Sequence, residues 1–501
     1  MNTNFILAPI LSQLITSIVL LFLWKRIRLN KMVSLLGSTV TLLLSLSLFV
    51  ATYQNDYLVL HSGNWKPPFG ITFVADTFSA VLVLLTSIVS FAVGMFSIGG
   101  ISNQRISYGY FPIFHLLIMG LMGAFLTGDI FNLYVWFEVV IISSFVLLTL
   151  GGKKVQMEGA IKYVAMNMLA SAIFLTAIGI LYGITGSLNM ADIATIIPKI
   201  RNQGLVSVTA LMFFVGFGIK SAVFPLYFWL PSSYHTPPSS IAAVFGSLLT
   251  KMGVYAMIRV FTLIFKPDSF TLSAFIFIAI ATMLTGAFGT INKTSMRKIF
   301  SYLIVCHIGY LIAGLGIYTK AAIAGVIFYM IHDIIIKGNL FMVSGVLYKI
   351  RGSTDMRRLG GFYKDYPKLS FLMAIVLFSL VGIPPLSGFW PKIQLFQEAF
   401  AKHQYGLLGV LIFASFITLF VIARVWMEVF WKDSPKSLDL VQDEFETMDW
   451  VKKVCLVLPV VILAATSVFI GLGAEKVYIV VEKIASDLMD HSAYIRAVLN
   501  H

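Results

Sequence analysis

Six basic residues stand inside long apolar runs: Lys220, Lys251, Arg259, Lys337, Lys392 and Arg424. A charge at the centre of a bilayer costs roughly 2.5–3.5 kcal/mol on insertion scales, so six in one chain point to a charge-handling role. Ser247, Lys251, Tyr255 and Arg259 recur every four residues, which lines them along one helix face. Tyr329, Asp333 and Lys337 do the same in another run, with His332 beside them. Asp333 and Lys337 read either as an ion pair within one helix that lowers insertion cost or as part of a proton path. His307 and Tyr310, one turn apart, admit either packing or proton transfer. Glu138, in IFNLYVWFEVVIISSF, is either a protonated carboxyl bonded to a hydroxyl or a carboxylate paired with Lys220. Titratable groups within reach of bridging waters form a proton wire, and these runs supply them.

Two runs are interrupted in the same style. GFGIKSAVFPLYFWLP carries Lys220 before Pro225, and LVGIPPLSGFWPKIQLF carries Pro384, Pro385 and Pro391 around Gly388, with Lys392 following. Proline removes a backbone donor and kinks a helix, which frees carbonyls and amides to meet ions or water. A pair of Gly/Pro-interrupted spans, one in each half, is the pattern of transporters built from inverted repeats.

The elements that must position these residues are membrane spans. Of the 501 residues, 58% are hydrophobic and 12% charged, against about a quarter charged in a soluble domain. Runs such as LLLSLSLFV and AFIFIAIATML are long and unbroken, unlike the alternating segments of a barrel, so the spans are helical. Fourteen are expected, starting near residues 4, 32, 72, 110, 130, 160, 205, 239, 270, 299, 321, 368, 405 and 451. The acidic stretch from Asp433 to Asp449 is a polar linker, and Glu475 to His501 alternates charged and apolar groups as a surface helix would. The run from Phe5 to Leu23 has basic residues after it and none before it, the reverse of a signal peptide, and reads as a retained anchor. With the N-terminus outside, the cytoplasmic loops hold 21 Lys and Arg and the outside segments 9, which favours both termini outside.

The net charge of +14 therefore sits in loops between spans and is a topology signal, with no nucleic-acid partner implied. Cys306 and Cys455 lie in different runs and cannot supply a disulfide framework, an iron–sulfur cluster or a thiolate zinc site. There is no HExxH, GxSxG, GxGxxG or Walker pattern. The expectation is a transporter component with no metal or cofactor, rather than an enzyme.

The segment from Gly216 to Val260, GFGIKSAVFPLYFWLPSSYHTPPSSIAAVFGSLLTKMGVYAMIRV, resembles the core of the proton-translocating antiporter-like subunits of respiratory complex I and of Mrp-type (Mnh/Sha) multisubunit antiporters. RKIFSYLIVCHIGY (297–310) and GIPPLSGFWPK (382–392) fit the same family in order, and GDIFNLYVWFEVVIISSFVLLTLGG (128–152) resembles its branch of Mrp D subunits. The resemblance implies an all-α polytopic membrane protein of fourteen helices, broken at helices 7 and 12. Helices 1–3 would lie in 1–108. Helices 4–8 (109–263) and 9–13 (264–431) would form two inverted repeats, and the acidic linker, helix 14 and tail would fill 432–501. It implies a Glu138–Lys220 pair gating proton uptake, Lys251 as central relay, Lys392 as exit-side residue, and His332 with Lys337 bridging the halves. Asp333, His307 and His235 are secondary candidates for the path. The implied function is Na+/H+ exchange across a bacterial cell membrane, alongside other small hydrophobic Mrp-type subunits. The alternative is a proton-pumping arm of a complex I-like dehydrogenase or membrane hydrogenase. The loop LPSSYHTPP departs from many relatives around His235, and Lys392 stands where some complex I relatives have glutamate.

Overall fold

The computed structural model describes residues 3–434 and 444–499; the middle of the acidic linker, 435–443, lies outside them. Lipid offers the backbone no hydrogen-bond partners, so apolar segments satisfy their own bonds as helices. In chain order the main helices are α1 (Asn4–Phe22), α2 (Ile27–Asn55), α3 (Thr77–Gly100), α4 (Tyr110–Leu126), α5 (Ile130–Thr149), α6 (Lys154–Thr185), α7 (Gln203–Ser221), α8 (Ser239–Leu263) and α9 (Ser269–Ile291). They continue as α10 (Met296–Ile317), α11 (Lys320–Arg351), α12 (Pro367–Val381), α13 (Phe389–Ala401), α14 (Tyr405–Trp431), α15 (Trp450–Leu472), α16 (Ala474–Met489) and α17 (Ser492–Leu499). Twelve of them are long and apolar enough to cross a membrane. The other two expected span starts fall on α4 and α12, apolar helices of 17 and 15 residues. At 1.5 Å per residue these reach only about 25 and 22 Å of a ~30 Å hydrocarbon core.

The third span begins later than expected. Residues 72–75 form a strand instead: β1 (Leu58–His61) and β2 (Thr72–Ala75) pair antiparallel, Leu58 opposite Ala75. Helix α3 starts at Thr77, where Asp76 and Ser79 satisfy each other's backbone amides in a capping box. The β-branched and aromatic residues of TFVA favour the extended form over another helical turn.

Polarity sorts the helices by depth. The polar stripes lie on α8, α10 and α11, whose apolar windows are 100%, 94% and 94% buried, whereas the more uniformly apolar α2 and α14 are 28% and 33% buried and face outward. A charged stripe cannot face lipid, so its helices are placed inside. Helix α11 is the hub, packed against α3, α8, α10, α12, α13, α15 and α16.

An internal repeat is visible in the backbone. Helices α6 and α11 are both 32 residues long and both end at a left-handed glycine, Gly186 (φ 70°) and Gly352 (φ 65°). The loops that follow bond back identically. Ile130 N donates to Leu188 O (2.9 Å) and Met190 N to Gly128 O (2.9 Å); Met296 N donates to Thr354 O (3.0 Å) and Met356 N to Thr294 O (2.9 Å). The two breaks match as well. Helix α7 stops at Ala222 (φ 60°), with Val223 N on Gly218 O, and α12 stops at Gly382 (φ 89°), with Ile383 N on Phe378 O. Both are Schellman-type stops, so a left-handed residue ends each helix ahead of the prolines.

The tail is less superficial than its sequence suggests. Val481, Ile484, Ala485 and Leu488 of α16 are buried, with α16 packed against α11, α8 and α3.

Candidate functional site

The site is built on Asp333, at the middle of α11 and fully buried. Its Oδ2 meets Lys251 Nζ at 2.7 Å, and Oδ1 meets His307 Nδ1 at 3.0 Å and Lys337 Nζ at 3.8 Å. Four residues from three helices thus form one cluster around a single carboxylate, and all are completely buried. Lys251 reaches this position because α8 widens into a π-turn at Phe245–Leu249, which leaves the Gly246 carbonyl to accept from Nζ at 2.9 Å. Two lysines and a histidine share one counter-charge, so the charge state of each depends on that of the others.

In the first half the groups are more separate. Lys220 Nζ donates to Ser171 Oγ at 3.1 Å and sits 4.7 Å above the Phe137 ring. Glu138 is close enough for its charge to act on Lys220, yet the two form no direct ion pair among the described residues. The Glu138 Oε1 is buried without a hydrogen-bond partner. The contact pair expected from sequence is therefore corrected to a separated pair, because Ser171 and the face of Phe137 occupy the ammonium first. A cavity of about 10 Å³, lined by Lys220, Asn167, Tyr163 and Tyr234, extends to Leu249 and Met252 on either side of Lys251. That is room for about one bridging water.

In the second half Lys392, on α13, donates to Val381 O at 2.7 Å, at the end of α12. Four carbonyls at a helix C-terminus lack intrahelical partners and carry the negative end of the helix dipole, which suits an ammonium. Between Lys392 and the Asp333 cluster stand stacked Tyr310 and Tyr329 rings, 5.3 Å apart, with Lys392 5.6 Å from the Tyr310 ring. His332 bonds Ser387 Oγ at 2.7 Å inside the second break, and Ser387 continues to Ser467 at 2.8 Å. Gly388 permits this approach: a Cβ there would run into Ser379 O and come within 2.9 Å of the His332 ring.

His235 does not join this line. It bonds Pro231 O at 2.8 Å in the loop before α8, where burial, then the nearby Lys298 charge, pushes its pKa down to about 4. Arg424 is structural, since its guanidinium binds the carbonyls of Ile291, Thr290 and Lys293 and so caps α9. Arg259 pairs with Asp76 at 2.6 Å under the Tyr255 and Tyr494 rings. Asp76 is not among the residues expected from sequence; its signal is an aspartate three residues before Ser79, directly ahead of an apolar run. His115, held by Ser34 (2.9 Å) and Gln13 (2.6 Å) between α1, α2 and α4, is a second addition. Among the described residues no group of three or more His, Cys, Asp or Glu is placed to hold a metal ion.

Residues 127–418 match the family described as NADH:quinone oxidoreductase/Mrp antiporter, transmembrane. The chain is 40% identical over 497 residues to the Na(+)/H(+) antiporter D subunit of Alkalihalophilus pseudofirmus, covering 99% of each chain. It superimposes on a chain of the Mrp complex from Dietzia sp. DQ12-45-1b with a TM-score of 0.90, at 27% identity and 100% coverage of both. A chain of the membrane-bound sulfane sulfur reductase, an archaeal respiratory membrane complex, gives a TM-score of 0.89 at 25% identity, covering 99% of this chain and all of that one. This multi-pass membrane chain therefore belongs to the NADH:quinone oxidoreductase/Mrp antiporter family.

Proposed function

We propose that the chain is the proton-conducting subunit of a multisubunit secondary antiporter in a bacterial cell membrane, exchanging cytoplasmic Na+ for external H+ beside other small hydrophobic Mrp-type subunits. The observation that carries this reading is the Lys251–Asp333–Lys337 cluster, which joins a helix of the first half to one of the second with no exposed atom. The near-full-length identity with a protein named for that exchange supports the same assignment. The fold fits the Mrp chain and the sulfane sulfur reductase chain equally well, so sequence identity rather than shape favours the antiporter over a redox-driven pump.

On this reading a proton enters beside Glu138, passes to Lys220, crosses the small cavity to Lys251, and moves through the Asp333 cluster. It leaves by way of His332, the tyrosine pair and Lys392. The two inverted repeats, 109–263 and 264–431, each supply half the path. Asp333 and Asp76 are already held by Lys251 and Arg259, Asp129 caps α5 through the Asn132 amide, and Glu138 is assigned to proton entry, so the sodium step is assigned to a neighbouring subunit. The loop charges favour both termini outside.

The test is sodium-induced dissipation of a pH gradient in everted vesicles from an antiporter-deficient bacterium. The arms are this chain alone, the chain with its operon neighbours, and that set with Lys220→Ala. Exchange is expected only with the neighbours, and Lys220→Ala is expected to abolish it with assembly intact. Full exchange in the variant overturns the path. No exchange in an assembled set that co-purifies with flavin or iron–sulfur subunits moves the assignment to the pump.

A further inference from the structure

The end of the bundle where α6, α8 and α10 begin encloses a second polar space, apart from the line through Asp333. A cavity of about 210 Å³ is lined there by Arg105, Lys153, Arg297 and Lys349, together with Gln156 and Ser239. Among the described residues no carboxylate lines it. Lys349 has a partner in Glu444 at 2.8 Å, but among the described residues no acidic group pairs with Arg105, Lys153 or Arg297. Their bonds go to neutral groups: Arg105 to Leu150 O (3.1 Å), and Arg297 to Pro237 O (3.2 Å), Ser344 Oγ (3.3 Å) and Ser239 Oγ.

The backbone adds to this field. None of the three helices starting here has a side-chain cap, so apart from Met296 N on Thr354 O and Gln156 N on Lys153 O the positive ends of their dipoles face the space. The C-terminal ends of α3 and α11 also reach the space and bring the negative ends of their dipoles, which Lys349 in the last turn of α11 offsets. Arg105 and Arg297 are partly buried and Lys153 is exposed at the rim; a partly buried charge without a counter-ion is costly, and an anion is the group that relieves the cost. The volume holds several waters or one phosphate-sized group.

The space opens through an adjoining cleft of about 420 Å³ that shares Ser102, Arg105 and Lys153 and passes Tyr108. Tyr108 is 50% exposed, and nearby Trp24 is 39% exposed with its Nε1 on Ser107 O at 2.7 Å. Exposed Tyr and Trp at a bundle end mark the headgroup level of a bilayer. On the orientation proposed above this is the cytoplasmic end, where basic pockets between helices take anionic headgroups.

We propose that this cavity is a binding site for a phosphate-bearing anion, reached from the membrane interface and held by Arg105, Lys153 and Arg297. The experiment uses the assembled complex, purified and delipidated, with its thermal midpoint followed against phosphatidylglycerol, phosphatidylcholine or inorganic phosphate. Phosphatidylglycerol alone raising the midpoint assigns a lipid headgroup, and inorganic phosphate doing so assigns a soluble anion; phosphatidylcholine is expected to do little in either case. In Arg105→Gln/Lys153→Gln, which alters only residues outside the buried spans, the half-saturating concentration should rise at least roughly tenfold. Arg297→Gln should do the same, and the double variant keeps the test open if that one fails to assemble. An unchanged response in the double variant, or no response of the wild-type complex to either anionic probe, overturns the proposal.

Discussion

Helix α6 of the first half carries Tyr163, Asn167 and Ser171; at the corresponding positions α11 carries Tyr329, Asp333 and Lys337. The backbone frame is shared and the loading differs. Helix α6 is 39% buried and α11 94%. A helix with one side in lipid holds neutral hydroxyls and amides cheaply, so Lys220 meets Ser171 and is left without a carboxylate in contact. A helix enclosed on all sides can hold an aspartate, provided its neighbours bring counter-charges. Asp333 takes one of them, Lys251, from the first half. The asymmetry teaches that the two halves are not independently charged: the better-buried half holds the carboxylate and borrows a cation from the other.

The strongest way to break this comparison is Asp333→Asn. It leaves Lys251 and Lys337 without a counter-charge where nothing is exposed, so it should cost about 3–5 kcal/mol and abolish exchange. Thermal unfolding of the complex and the vesicle assay measure the two effects. Asp333→Asn/Lys251→Met should recover much of the stability and none of the exchange; exchange surviving in either variant would refute the shared cluster. Next in size, Gly388→Ala should destabilise by about 1–3 kcal/mol, because the added methyl meets Ser379 O and the His332 ring. The first break carries Phe228 at the matching place, 50% exposed, and Phe228→Ala should change stability by about 0.5 kcal/mol or less. Equal costs in the two breaks would show that His332 is not held by close packing.

Asn167→Asp sharpens the comparison by giving α6 the carboxylate that α11 has, next to Lys220 in the small cavity. A proton held there should slow exchange about tenfold, or ~1.4 kcal/mol; an unchanged rate would remove Lys220 from the path. The smallest effect is expected at α16, which touches both halves. Burial, then the Asp76 charge, pushes the Asp487 carboxyl up to about 6. An unfolded aspartate titrates near 3.9. Between about pH 4 and 6 the folded protein thus keeps a proton that the unfolded chain has released, and stability falls as pH rises through that window. Asp487→Asn should raise the thermal midpoint by a few °C at most near pH 7.5 and leave it unchanged near pH 4.

Much of this is legible in the sequence because helical periodicity and chain breaks are local. The four-residue recurrence from Ser247 to Arg259 and from Tyr329 to Lys337 is enough by itself to say which residues share a face. Gly382 and the prolines mark the second stop, whereas Ala222 gives no compositional hint that it turns left-handed. What a face meets is not local. Lys251 opposite Asp333 depends on how α8 and α11 are rotated, and a single π-turn resets that rotation. For the same reason Glu138 and Lys220, both correctly placed in their spans, do not touch. The hairpin from Leu58 to Ala75 reads in sequence as loop and span because its strands are four residues each, too short for alternation to register.

The lysine at the second break has a coordination shell made of peptide oxygen. Val381 O is free to hold the Lys392 ammonium because α12 stops there and because the residue four on, Pro385, has no N–H to offer it. The cation and the interruption are thus one device. Side-chain drift around Lys392 leaves its seat intact, while a change that both lets the backbone run on through Gly382 and restores an N–H at position 385 evicts the charge without altering the lysine itself.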